Sequence, residues 1–514
     1  MSSRSTGQGP TAARAVAGAL TAGVVALVGA GVARAARFTP QGQDERTGRF
    51  AGSGARATRP QDEGARDDPA SYAVGTAERL SALVRIPTVS SRVPGEEDPA
   101  VFEAFVERLA ELYPRVHERL TLERVAGHGL LFRWRGRQGA APAAPAVLMA
   151  HYDVVPVEAE DWSGDPFSGA IRDGAVWGRG TLDDKGSLVV LLEAVESLLG
   201  QRFTPDRDVY LSFGHNEETA GDAARAAVAV LRERKISPWL VVDEGGAVVE
   251  GAFPGVTAPT AVVGVAEKGI LDLEISTQSL GGHASTPVRG GATARLARAI
   301  TRIDAHPFPP HLPEPTLEMI DTLGRHSPFG LRLLFASARQ LRPALARVLG
   351  TVSPETNAMV RTTVAITQLQ GSPGANVLAA SARANANVRI ATGETVASVV
   401  ERLRRVIDDP TVELRVVSGE DPSPVSPTDG EQFALVRGSI GAAYPDAVET
   451  PYDMLGASDS RHFCEISEHV YRFSPVAMTR EQRESIHGVD EHVTIDALGR
   501  GVVFYRALLL EHWR

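Results

Sequence analysis

From about residue 72 the chain alternates short apolar runs with longer stretches in which apolar residues recur every three or four positions. The first pattern predicts strands and the second predicts helices; their alternation predicts an α/β domain. Helices are expected at 73–84, 98–113 and 186–200. In the last, Leu188, Leu191, Leu192, Val195, Leu198 and Leu199 form one apolar stripe. Strands are expected at 146–150, 208–213 and 239–242, each followed by charged or polar residues.

A second pattern begins near Glu267. In "GILDLEIST", Leu271, Leu273 and Ile275 alternate with Asp272, Glu274 and Ser276, as in a half-exposed strand. The Gly-rich "SLGGHASTPVRGGA" leads into a helix from about 292 to 303, and "RTTVAITQLQG" and "ARANANVRIA" read as two more strands. Together these elements predict a smaller α+β unit inserted in the first. The expected architecture is a mixed-sheet catalytic domain with helices on both faces, built from 72–266 and 392–514, and a lid or dimerisation domain at 267–391. The Arg/Leu-rich stretch within 305–355 has two readings: a buried amphipathic helix, which is preferred, or an apolar wall near the lid.

The N-terminus follows different rules. Residues 15–33 carry no charge and are flanked by Arg4 and Arg14 on one side and Arg34 and Arg37 on the other. A run of 19 residues matches the length needed to cross a bilayer, roughly 20. Ala33-Arg34-Ala35 also has the small-x-small form of a signal-peptide end. Residues 1–37 are therefore expected to be a membrane anchor or a removed signal, and 38–71, rich in Gly, Arg, Asp, Gln and Pro, a flexible stem. Either places the catalytic domain outside the cytoplasm, secreted or anchored.

Composition narrows the chemistry. With 514 residues, 43% of them hydrophobic, the chain can bury a core spanning more than one domain. A net charge of −10 without a basic stripe excludes a nucleic-acid surface. The single cysteine, Cys464, excludes disulfides and a thiolate metal site, and is read as a small buried apolar residue.

Five places set an acid or imidazole where an apolar segment ends: His151 and Asp153 in "MAHYDVVP", Asp183 and Asp184 in "WGRGTLDDKGS", Glu217 and Glu218 in "FGHNEET", Asp243 and Glu244 in "VVDEGG", and His487 in "SIHG". A polar strand end at the surface would account for any one of them. Residues just past the carboxyl ends of parallel strands, however, gather in one crevice. Carboxylates gathered there repel one another unless a cation neutralises them. With only N and O ligands, zinc leads, with manganese or cobalt as alternatives. Asp153 is suited to orient His151. Glu217 and Glu218, adjacent on an extended segment, point to opposite sides, so one can ligate while the other moves a proton. Asp183 is the best candidate to bridge two ions. Asp184 and Glu244 are read as caps of the following helix or turn.

These motifs and "GGHAS", in this order, resemble the di-zinc metallopeptidase family that includes aminoacylase and glutamate carboxypeptidase, and most closely its carboxypeptidase S and N-acyl-amino-acid hydrolase/synthase branch. The resemblance covers nearly everything from about 75 to 514. It implies two zinc ions held by His151, Asp183, Glu218, Asp243 and His487, with Asp183 bridging. It implies Glu217 as general base, Asp153 as partner of His151, and a cis Asp183–Asp184 peptide. His283 of "GGHAS" would reach the site of a second copy in a homodimer formed through the lid, and stabilise an oxyanion there. Arg461 of "GASDSRHF" would hold a substrate carboxylate, an ordinary ion pair being its alternative. Asn376 and Arg389 would contact substrate from the lid.

The implied reaction is hydrolysis of a C-terminal peptide bond or of an N-acyl amino acid, in either direction, by metal-activated water. Two rivals belong to other classes. One is a non-catalytic, metal-stabilised binding or dimerisation protein on the same scaffold; Glu217, with no ligand duty in the scheme, argues against it. The other, a serine hydrolase, lacks a G-x-S-x-G elbow.

Overall fold

The computed structural model describes residues 33–40 and 67–511, except 94, 138–143, 159–160, 220, 252 and 254. The body opens with helices α1 (Ala70–Val84), α2 (Pro99–Leu112) and α3 (Pro114–Arg119). Asp98 starts α2, its carboxylate accepting the Ala100 N–H with Pro99 at the first turn. Strands β1 (Thr121–Val125), β2 (Gly129–Trp134) and β3 (Ala146–His151) follow, then α4 (Lys185–Gly200), β4 (Val209–Gly214), α5 (Asp222–Glu233), β5 (Leu240–Asp243) and β6 (Thr260–Glu267). The expected helices and strands of this part are all present. β3, β4 and β5 are buried along their whole length. They run parallel, with β3 between β4 and β5, and helices on both faces explain their unbroken apolar sequences. α4 is buried nearly all round, because it lies between the sheet and α1 and α3.

The chain then leaves for a second sheet. β7 (Gly269–Gln278) buries Leu271, Leu273 and Ile275 on one face. After α6 (Ala292–Ala305) come four helices, α7 (Glu314–Gly324), α8 (Phe329–Phe335), α9 (Arg342–Val352) and a short one at Pro354–Met359, then β8 (Thr363–Gln370) and β9 (Ser381–Ile390). The expected return at 392 occurs later. α10 (Val396–Ile407) and β10 (Val412–Glu420) still belong to the smaller domain, whose antiparallel sheet runs β8-β9-β7-β10. The physical cause is legible in hindsight. Thr395 and Ser398 form a capping box, and Val399, Leu403 and Ile407 then pack on the core that Leu271 and Leu273 share with α6. Only after Glu420 does the chain rejoin the large sheet, through α11 (Glu431–Ala443), β11 (Val448–Met454), β12 (Val470–Arg472) and α12 (Ile495–Glu511). The ten-stranded sheet runs β1-β2-β4-β3-β5-β12-β6, with β11 and two short strands beyond or beside β6.

The Arg/Leu-rich stretch is helical and α7 packs against β11, but it forms several helices and is not buried throughout, since Phe329, Leu334, Leu341, Val348 and Val352 stay exposed. The expected stem is shorter than 38–71. Phe38 is buried among Leu312, Leu317, Ile320 and Phe335, with the Arg325 guanidinium 4.5 Å above its ring. A lone aromatic beside polar residues gains more from that apolar slot than from water. Among the described residues no helix is long and apolar enough to cross a membrane; the uncharged run lies outside them except for its last residue.

The two domains join where β6 becomes β7 and β10 returns. There the backbones come so close that a Cβ on Gly269 would stand 2.6 Å from the Glu420 carbonyl oxygen, which is why a glycine sits there. Glu267, fully buried, accepts the Ser458 N–H at 2.8 Å and the Arg461 Nε–H at 3.0 Å. The buried Arg472 lies 3.6 Å from its other oxygen. Arg461 also donates to Glu420 at 2.7 Å and to the Lys268 carbonyl at 3.2 Å. Glu267→Gln leaves Arg461 and Arg472 facing a neutral group, and is expected to cost about 3–5 kcal/mol in urea unfolding.

Candidate metal centre and active site

The carboxyl ends of β3, β4 and β5 lie side by side, and the residues that follow them meet. His151, the last residue of β3, places Nε2 2.9 Å from Asp183 Oδ1 and 3.5 Å from Glu244 Oε1. His487 brings its Nε2 to 3.0 Å from Glu218 Oε1 and 3.1 Å from Asp183 Oδ2. Asp183 therefore stands between the two imidazoles. The Asp183–Asp184 peptide is cis, as expected. His487 adopts φ +59°, a left-handed conformation uncommon outside glycine.

Asp153 acts on this cluster through the backbone. It lies 3.3 Å from His151 Nδ1, and its two oxygens accept the N–H groups of Glu217 and Glu218, each at 3.1 Å. Ser90 donates to it at 2.7 Å. Burial opposes its charge, yet His151 and these donors hold its pKa below the usual carboxylate range. One carboxylate thus sets the His151 ring and the Glu217–Glu218 turn together.

Two arrangements differ from the expectation. Asp243, proposed as a ligand, turns its carboxylate to the Ser460 N–H at 2.8 Å, and it belongs to neither group of convergent ligand atoms. Glu244, read as a cap, is the residue that faces His151. Asp243 nonetheless lies near enough to His151 for the imidazole's charge to act on its carboxyl. Asp184 is not a side-chain cap of α4 either; it accepts the His151 N–H at 3.3 Å.

Ligand atoms of His151, Asp183 and Glu218 lie within 4.8 Å of one another, as do those of His151, Glu217 and Glu244. The ion-pair partners of Asp183, Glu218 and Glu244 are all imidazoles. Burial accordingly raises the carboxyl pKa of Glu217, Glu218 and Asp243, and pushes that of Glu244 up to about 8. Asp183 is held low against its burial by hydrogen bonds from both histidines. His487 is pushed up to about 10 by Asp183 and Glu218. Burial disfavours a charged His151, but Glu244, Asp153 and Asp183 outweigh it. Oxygen-rich, acidic and short of fixed cations, this donor set fits divalent metal.

Three buried groups were missed in the sequence. Glu491 accepts the amides of Leu182 at 2.8 Å and Asp183 at 3.2 Å and pairs with Arg179 at 2.7 Å. Asp459 approaches Gly214 so closely that a Cβ there would stand 2.7 Å from its carboxylate. Glu244 is the third. Each lies within four residues of a residue already singled out, and that adjacency was the available signal.

The residues expected to contact substrate are not gathered here. Arg461 has its donors committed at the domain junction, which leaves no open fork for a substrate carboxylate. Arg389, on β9, has no hydrogen bond or ion pair among the described residues; burial and the nearby Arg461 lower its pKa. His283 is exposed on a two-residue strand paired with Val377–Leu378. Asn376 stands beside it, its carbonyl accepting the Ala284 N–H at 3.0 Å. Cys464 is half-buried, and burial raises its thiol pKa.

A carboxylate and imidazole cleft at the carboxyl edge of parallel strands, with a separate smaller domain, suits the class of metal-dependent hydrolases. The chain belongs to peptidase family M20/M25/M40, which residues 147–511 match. It is 36% identical over 440 residues to a probable carboxypeptidase S-like 2 of Dictyostelium discoideum, covering 84% of each chain. It is 33% identical over 443 residues to the human N-fatty-acyl-amino acid synthase/hydrolase PM20D1, covering 85% of this chain and 87% of that one. Its fold is similar to that of the metallo-carboxypeptidase Sso-CP2 from Sulfolobus solfataricus, with TM-score 0.63 at 18% identity over 84% of this chain and 98% of that one. Metal content per chain, measured by mass spectrometry after dialysis, is expected to fall in Glu244→Gln and to hold in Asp243→Asn.

Proposed function

We propose that the protein is a two-zinc hydrolase of amide bonds, acting on N-acyl amino acids or on C-terminal peptide bonds, with manganese or cobalt able to replace zinc. The observation that carries this reading is the position of Asp183 between His151 and His487, with the Glu217–Glu218 turn held beside it by Asp153. In this reading His151, Glu244, Asp183, Glu218 and His487 would hold the ions. When bound, the ions supply a water of lowered pKa and polarise the amide carbonyl.

The remaining work falls to the chain. Glu217 takes the proton of the attacking water and passes it to the leaving nitrogen; its raised pKa from burial suits a group that must give the proton back. Glu491 and Asp153 keep the ligand loops in register through backbone amides. Arg389, charged and unpaired, receives the free carboxylate of the substrate, in place of Arg461. Asn376 and His283 stand together on the lid, and in a homodimer formed through it His283 would steady the oxyanion at the second copy's site. The N-terminal run, as anchor or signal, places this chemistry outside the cytoplasm.

The non-catalytic scaffold reading is separated from this one by turnover. Glu217→Gln is expected to keep its metal and lose about 10²- to 10⁴-fold in kcat on an N-acyl amino acid, and chelation to remove activity from the wild type until zinc is restored. Metal binding without turnover in the wild type would favour the scaffold. Arg389→Ala is expected to lower kcat/KM by roughly 10- to 100-fold, the loss of one charged hydrogen-bonding group. The same substitution should change little for a substrate whose carboxylate is amidated.

A further inference from the structure

Helices α8 and α9 leave apolar side chains uncovered on their outer side. Phe329, Leu334, Leu341, Val348 and Val352 are 45, 39, 42, 55 and 65% exposed. Leu341, just before α9, and Val348 and Val352 within it are seven and four residues apart and lie along one stripe, whose fourth member, Leu345, is buried. Soluble surfaces usually carry large apolar residues singly. Here they are grouped and interleaved with cations.

Charge marks the same stretch. Residues 322–354 hold five arginines and no Asp or Glu, in a chain of net charge −10. Arg325 pairs back to Asp321, and Arg339 and Arg342 to Glu314. Arg332 lies over the Phe329 ring, and Arg347 reaches only the Pro343 carbonyl. Exposed aromatic and aliphatic groups with arginines at their flank are the composition of helices that lie in a membrane interface.

The path of the chain is an independent observation. Residues 33–37 form a helical turn, after which Phe38 enters its slot beneath α7 and α8. Arg34 donates to Ser337 at 3.0 Å, and Arg332 to the Phe38 carbonyl at 3.5 Å. The uncharged run 15–33 therefore ends against the helices that expose these apolar groups. We propose that the outer face of α8 and α9 docks on a lipid bilayer bearing anionic headgroups, with Phe329, Leu341, Val348 and Val352 entering the interface and the arginines meeting lipid phosphates. The apolar burial supplies the hold and the arginines the preference for anionic lipid.

The test uses the full chain with an environment-sensitive fluorophore on Val348→Cys, and wild type labelled alike to subtract any signal from Cys464. Glu118→Cys on α3 is the control. α3 packs His117 on Phe132 of β2, at the far end of the sheet from β6 and β11. On vesicles of phosphatidylcholine and phosphatidylglycerol, the reporter at 348 is expected to brighten and to be quenched by nitroxide-labelled lipid, while that at 118 stays unchanged. Arg347→Gln is expected to lower the docked-to-undocked ratio about fivefold, the contribution of one cation near an anionic surface. A reporter at 348 as wet as that at 118 on these vesicles overturns the proposal. So does shielding without vesicles, which points to the N-terminal run if independent of protein concentration and to a second copy if dependent on it. Equal docking on phosphatidylcholine alone overturns the preference for anionic headgroups.

Discussion

Asp183, Glu217, Glu218 and Glu244 share one cleft with two imidazoles, and their mutual repulsion in a buried site is relieved only by protons or by metal. The architecture follows from that constraint. Parallel strands β3, β4 and β5 deliver the residues to one edge. Two further carboxylates, Asp153 and Glu491, then fix the ligand loops by accepting backbone N–H groups, with Ser90 and His151 as side-chain partners of Asp153 and Arg179 of Glu491. Ligand atoms held through the main chain cannot swing away from one another, so the repulsion is contained by the fold instead of being relaxed by rotamer changes.

Much of this was legible because burial and periodicity coincide. The unbroken apolar runs at 146–150 and 239–242 can only be strands covered on both faces, and the polar residues after them had to lie at the sheet's edge. What failed to show was the choice between neighbours. Asp243 and Glu244 are equally plausible ligands in one dimension, and the Ser460 N–H that claims Asp243 comes from more than two hundred residues downstream. For Arg461 the ion pair that stood as its alternative is present, and both acids that take it, Glu267 and Glu420, are distant in sequence. Glu491 gave no warning beyond its position next to His487. Periodicity reports which face is buried, and nothing in it reports which donor arrives there.

The domain junction shows the opposite case. Its boundary was placed too early because Thr395 to Ile407 has a helical pattern that suits either domain, and the core it joins is defined by β9 just before it and by β7 and α6 far upstream. At the crossing itself Arg461 touches both connecting strands, through Glu267 and the Lys268 carbonyl on one and Glu420 on the other. The same residue is near enough to Arg389 to join burial in lowering the Arg389 pKa through its positive charge.

The burial of Phe38 alters the meaning of the segment that follows it. Asp67 is held by Arg506 at 2.7 Å, so the chain is fastened to the body both before residue 41 and after residue 66. A cut between 41 and 66 would leave residues 33–40 held on the body by the packing of Phe38 and the hydrogen bonds of Arg34 and Arg332 alone.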